Sequence, residues 1–374
     1  MTATAATLGT TRPSPLREFG SSVATIMVKE LRSRMRGRRA FVVLTIYLGL
    51  LALITYGAYL IVAPNARGGG FIGDISQANA SGIIGQTIFT LLSIFQLVLV
   101  CFIAPGFTAG QISLEREKQT LDLLVSTPMR PGAIVIGKLA AALAFVVLMI
   151  VAAVPITAIV LMYGGASIGD IVRQQLVLLA TAVALGAIGL FFSALLKRTQ
   201  AATVLTYITM LALTVGTVML FGFWTLLVNQ SGDGFAVGPP KRAPEQLLYL
   251  NPGVAMLDVI GNTESGVGGG INAMLAQLRG GPAGFGGEVE CFGDVCRPVD
   301  QFGNAIDDQS GSGYWWPRIG ISFVALAVLL TVASTRLVVP AGMRWAFRRR
   351  ASVPTPAAAT GDDASLEELG EMEP

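Results

Sequence analysis

The stretch Phe102–Lys138, FIAPGFTAGQISLEREKQTLDLLVSTPMRPGAIVIGK, decides how this chain is read. At its middle stands a dense run of charge, Glu115-Arg116-Glu117-Lys118, with an apolar run ending at Pro105 on one side and another beginning at Ile134 on the other. A bilayer core of about 30 Å is crossed by about 20 apolar residues in a helix, and charge placed inside it is costly. The charged run is therefore a short element that leaves one membrane helix and enters the next. Lying at the membrane surface, it can take force from a soluble partner.

Outward from this stretch, six runs are long and apolar enough to span: Ala40–Ala63, Ile83–Pro105, Ile134–Tyr163, Ile171–Leu196, Ala201–Val228 and Ile319–Val339. Composition agrees, because 13% of the 374 residues are charged and 53% are hydrophobic, whereas soluble domains carry about 25% charged residues. The fold class expected is an all-α integral membrane protein. Gln86 and Gln96 lie too deep in the second run to face lipid, so they should hydrogen-bond to other helices. Pro155 in the third run suggests a kink or tilt.

Lys and Arg near helix ends set orientation. With six alternating helices, the N-terminal bases (among them Arg32, Arg34, Arg36, Arg38 and Arg39) share a side with Arg116, Lys118, Arg130, Lys138, Lys197, Arg198, Arg336 and Arg348 to Arg350. The opposite side holds only Arg67, Arg173, Lys241, Arg242, Arg279, Arg297 and Arg318. Both termini are thus expected in the cytoplasm, with the chain in the plasma (inner) membrane of a prokaryote.

The soluble pieces follow from these boundaries. Residues 1–39 form a cytoplasmic segment whose apolar positions Leu16, Phe19, Val23, Ile26 and Met27 make a helical stripe. Its basic end, Arg32 to Arg39, suits an interfacial helix against anionic lipid headgroups. Residues 229–317 form a large external segment, Gly-rich and acidic. Within it Pro244–Ile260 has helical character, with Leu248, Ala255 and Met256 placed to pack at the membrane's outer surface. Cys291 and Cys296 lie there on the oxidising side, either joined in a short-loop disulfide or left as separate thiols. Residues 318–340 carry the last span, and 341–374 are an acidic cytoplasmic tail.

The chain's chemistry is defined largely by what it lacks. There is no histidine, which removes the commonest general base and a main metal ligand. Three separated cysteines make no zinc site, and no metal or nucleic-acid partner is expected. Gly132-Ala-Ile-Val-Ile-Gly137-Lys138 imitates a phosphate-binding loop, but Leu139 stands where Ser or Thr must hold magnesium. An ATPase, if one drives this protein, is therefore another chain. No pair of intramembrane carboxylates suggests an ion-driven carrier.

The 105–138 block has a positive pattern. Glu115, Gln119, Asp122 and Ser126 fall on one polar face of a helix expected over Gln111–Thr127, roughly four turns, which Pro128 and Pro131 stop. Here the chain resembles the permease subunit of type-2 ABC exporters. The matching residues are Pro105, Ala109, Glu115, Arg116, Glu117, Thr120, Asp122, Leu123, Leu124, Ser126 and Pro128, then Ile134-Val135 with Gly137-Lys138. Lys29-Glu30-Leu31-Arg32 and Tyr249-Leu250-Asn251-Pro252 also resemble family segments. The family often has Gly where Gln119 stands, and Gln should make the coupling element more continuous.

The resemblance implies a six-helix subunit with a coupling helix at about 106–131. It would pair with a second permease copy or a sister permease and dock cytoplasmic ABC ATPase subunits, which hold ATP and Mg while this chain binds no cofactor. It further implies that Glu115, Arg116, Glu117 and Asp122 make polar contacts with the ATPase, that Leu121 and Leu124 seat in its groove, and that Thr120 and Pro128 belong to the same element. A membrane scaffold or assembly factor with this fold, which transports nothing, is the alternative.

Overall fold

The computed structural model describes residues 15–35, 38–67, 77–119, 131–230, 245–263, 289–292, 295–298 and 315–338. The chain separates into two units, Met1–Leu337 and Val338–Pro374. In the second, Val338 alone is described, as the last residue of a helix. The first contains helices α1 (Pro15–Met35), α2 (Arg38–Arg67), α3 (Gln77–Thr108), α4 (Ser113–Glu117), α5 (Pro131–Tyr163) and α6 (Ile168–Leu195). Then come α7 (Thr199–Leu211) and α8 (Thr217–Gln230), joined by the π-turn Ala212–Gly216. A 3₁₀ turn, Glu245–Leu250, precedes α9 (Pro252–Gly261); strands β1 (Val289–Phe292) and β2 (Val295–Pro298) precede α10 (Trp315–Val338).

Six helical stretches are long and apolar enough to cross a membrane: Phe41–Pro64, Ser81–Glu117, Gly132–Tyr163, Ile168–Leu195, Thr199–Trp224 and Trp315–Val338. They coincide with the six runs read from the sequence to within a few residues, except that the second carries on through the charged stretch. Pro155 sits inside α5, whose helical assignment continues on both sides of it.

The core is built around α6, two-thirds of whose apolar window (67%) is buried, against 17% for the first and fifth spans. It packs on α3, α5 and α7, and α3 also packs on α5 and α2. Small residues along α6, including Ala182, Ala187, Gly186 and Gly189, permit this close central position. A Cβ at Gly189 would collide with Thr108 Oγ1, so only glycine lets α3 approach there.

The deep glutamines meet other elements, as their depth requires. Gln96 Oε1 accepts from Gln174 Nε2 on α6 at 2.9 Å. Gln86 Nε2 donates to Ile260 O at 3.1 Å and its Oε1 accepts from Thr263, so α3 closes the C-terminal end of α9. The helical region expected near Pro244–Ile260 resolves into the 3₁₀ turn and α9, and α9 is more deeply placed than a surface helix. Val254, Ala255, Met256, Val259 and Ile260 are all buried, against α3 and α6.

The all-helical reading needs one addition. Strands β1 and β2 pair antiparallel, with Cys291 opposite Cys296 and Glu290 opposite Arg297. Gly293-Asp294 between them is a two-residue hairpin signature flanked by β-formers, a signal lost in a segment read only as Gly-rich.

Candidate functional site

The charged stretch lies where α3 leaves the bundle and α5, α6 and α7 have their ends. After Thr108, bonded through Oγ1 to Ala104 O, the chain turns tightly, with Gln111 N donating to Thr108 O. Helix α4 then runs for five residues, and its own N-cap, Ile112, supplies no side-chain acceptor. The acceptor comes from α6: Ser193 Oγ takes Ile112 N–H at 2.8 Å and Ser113 N–H at 3.0 Å. Orphan donors at a helix start need such a partner when buried, and Ile112, Ser113 and Ser193 are all buried.

In the described part of the helix expected over Gln111–Thr127, residues 111–119, only Ser113–Glu117 is helical. Helix α4 stops at Glu117, and Gln119 adopts φ +56°. That left-handed backbone ends a helix and favours glycine at the position after it, which accounts for the Gly that the resembled family often carries there. Gln119 thus stands in a left-handed turn after α4, where it was expected to continue the helix. Of the expected polar stripe, Glu115 lies in α4 and Gln119 in the turn after it. Thr120, Leu121, Asp122, Leu124, Ser126 and Pro128 lie outside the described residues.

Each charge of the Glu-Arg-Glu triplet is turned onto a different neighbour. Glu115 Oε1 accepts from Lys138 Nζ at 2.6 Å, and the same ammonium reaches Glu30 Oε1 of α1 at 3.1 Å. Arg116 Nη2 donates to Ala194 O near the end of α6 at 3.2 Å. Glu117 Oε1 accepts from Thr199 N–H, the first residue of α7, at 2.7 Å, where a carboxylate also faces the positive end of the helix dipole. One short helix is so tied to α5, α6 and α7, and through Lys138 to α1.

Lys138 is the node of this arrangement. Its side chain is 4% exposed, while its two carboxylates are each 25% exposed, so the cation is buried only because it is doubly paired. Gly137 beside it serves packing: a Cβ there would come within 2.9 Å of Ile26 on α1. That contact seats α1 against α5, and the stripe residue Ile26 is buried. Helix α1 therefore docks on the bundle through its apolar face and is not held at the interface by charge alone. The segment Gly132 to Lys138 that imitates a phosphate loop is helical throughout, within α5.

The sequence reading singled out Glu115, Arg116 and Glu117, and the structure brings them together with partners it had not assigned: Glu30, Lys138, Ser193 and Thr199. Two cues were present, since Glu30 and Lys138 both stand in the family-like segments already quoted. Of the interfacial basic residues, Arg32 is exposed on α1. Arg34 also lies in α1, Arg38 and Arg39 begin α2, and Arg36 lies outside the described residues.

At the opposite end of the bundle Asn251 performs two tasks. Its Oδ1 caps α9 by accepting from Gly253 N–H and Val254 N–H at 2.8 and 3.1 Å. Its Nδ2 donates to Leu213 O, Thr214 O and Thr217 Oγ1 at 3.2, 2.7 and 2.7 Å, meeting carbonyls loosened by the π-turn. Asp258, fully buried on α9, accepts from Trp315 N–H and Trp316 N–H and so caps α10. Helix α9 thereby holds α3, the π-turn and the last span together. Among the described residues no His, Cys, Asp and Glu cluster could hold a metal ion.

Residues 24–349 match the family described as ABC-2 family transporter protein. No curated protein matches the chain.

Proposed function

The chain belongs to the ABC-2 transporter family, and we propose that it is the transmembrane permease subunit of an ATP-driven exporter, with hydrolysis carried out by a separate cytoplasmic ABC ATPase. The observation that carries this reading is the attachment of α4 to three helices at once, α5, α6 and α7, through Lys138, Ser193, Ala194 and Thr199. A helix anchored in this way moves its neighbours when it is pushed, which a plain connector of a few residues would not do. ATP and Mg belong to the partner, and this chain contributes the path.

The charge asymmetry between connecting loops supports cytoplasmic termini in a prokaryotic inner membrane. The apolar faces left open on α2, α7, α8 and α10, with Phe41, Ile61, Phe223 and Ile321 each at least 60% exposed, suit lipid and a second permease copy or sister permease. The test is purification from the native host in mild detergent. An ABC ATPase subunit should accompany the chain, and its hydrolysis should be lost or decoupled in Glu115→Gln. A chain that purifies intact with no ATPase, whatever the detergent, overturns the reading.

A further inference from the structure

We infer that the face this chain offers its ATPase is basic, so that the groove receiving it is acidic. The inference rests on the function just proposed and reverses the sign that the acidic motif suggests. Glu30 and Glu115 both turn onto the buried Lys138. Glu117 is exposed, but its Oε1 is taken by the start of α7. None of these carboxylates is free to lead an approach to a partner.

Beside Glu117, the charged residues that face outward here are cations. Lys118, Lys197 and Arg198 are exposed, and none forms an ion pair with a described residue. The 2.7 Å contact between Glu117 and Thr199 draws them into one patch, because Lys118 follows the first of these residues and Lys197-Arg198 precede the second. Leu114, 43% exposed on α4, adds an apolar contact beside them.

Reach favours a protein over lipid headgroups. Helix α3 alone has 32 residues, roughly 48 Å at the helical rise, against about 40–45 Å for a bilayer with its headgroups. Helix α4 follows at the end of that length, which places its outward cations toward the cytoplasmic edge of the headgroup layer, within reach of a soluble partner. Exposed charges of one sign steer a complementary partner and make its binding salt-dependent.

The test uses the full complex in detergent, comparing wild type with the triple variant Lys118→Glu/Lys197→Glu/Arg198→Glu. Lys118→Gln/Lys197→Gln/Arg198→Gln serves as a milder set. Thermal midpoint and elution volume report folding, and because these side chains are exposed and form no ion pair with a described residue both should be unchanged. We expect wild-type retention of the ATPase to fall as salt is raised. We expect the reversal set to weaken it about tenfold at low salt, and the neutral set to lie between.

Equal ATPase retention in all three proteins at every salt concentration overturns the inference and leaves the proposed function standing. So does unchanged ATPase retention with lost binding to anionic phosphatidylglycerol vesicles, which would assign the patch to headgroups. Wild type that brings no ATPase at all refutes the proposed function instead.

Discussion

Gln119 shows how one residue can oppose its own propensity. Gln favours helix, yet at φ +56° it terminates α4. A non-glycine residue held in that region costs on the order of 1–3 kcal/mol. Gln119→Gly should therefore raise the thermal midpoint, by a gain of about 0.5–1 kcal/mol after glycine's greater chain entropy is set against it. Gln119→Val should lower the midpoint. A Gly variant that melts below wild type would mean that the left-handed turn is not the stable conformation.

Lys138 makes the second case at this scale. Removing both counter-charges with Glu30→Gln/Glu115→Gln leaves a buried ammonium uncompensated, a loss of about 3–5 kcal/mol. Adding Lys138→Met to that pair should recover most of the loss, because an apolar side chain of similar length suits the site. Melting curves of wild type, double and triple variants in the same detergent check the order. A triple variant no better than the double would show that the site needs the ion pair for more than charge balance.

Among elements, α4 and α10 share a design in which caps come from elsewhere in the fold, whereas α9 carries its own. Ser193 starts α4 and Asp258 starts α10, while Asn251 starts α9 and also fills the π-turn. Asn251→Asp separates the two tasks. Asp is as good an N-cap as Asn, but it offers Leu213 and Thr214 no donor and sets a carboxylate against their carbonyls. If the cap were all that mattered, the Asp variant would be nearly neutral and Ala would cost about 1 kcal/mol. Because the π-turn must also be satisfied, Asp should be at least as destabilising as Ala, by about 2–3 kcal/mol. Stability measured by thermal unfolding decides between these, and a neutral Asp variant would discount the second task. The Asn-Pro pair was visible in the sequence as a family-like segment; its contact with a turn some 35 residues earlier was not, since no local pattern records it.

For the whole molecule, the strand register and the topology make a joint prediction. Directly opposed residues in an antiparallel pair have Cα atoms about 4.5–5.5 Å apart, inside the range a disulfide requires, and Cys291 stands opposite Cys296. If the segment faces the oxidising side, those two thiols should resist alkylation until a reductant is added, with buried Cys101 modified only on denaturation. Ready alkylation of both in intact cells by a membrane-impermeant reagent, without reductant, would deny the bond while keeping the topology. Alkylation only after lysis, again without reductant, would place the hairpin inside and overturn the topology as well.

The sequence by itself determined the six spans, the sites of charge at their ends and the family. Hydrophobic length and Lys and Arg placement are local properties that the bilayer reads directly. It also located the charged triplet at the correct connection. Only tertiary structure decided what that triplet does. Which way Glu115, Arg116 and Glu117 turn depends on Lys138, Ala194 and Thr199, residues 23 to 82 positions away that packing around α6 brings within hydrogen-bond range. A pattern of acids in a sequence gives their spacing along one helix. The cations and helix ends that neutralise them, and so the sign of the surface left exposed, are set by the neighbouring helices.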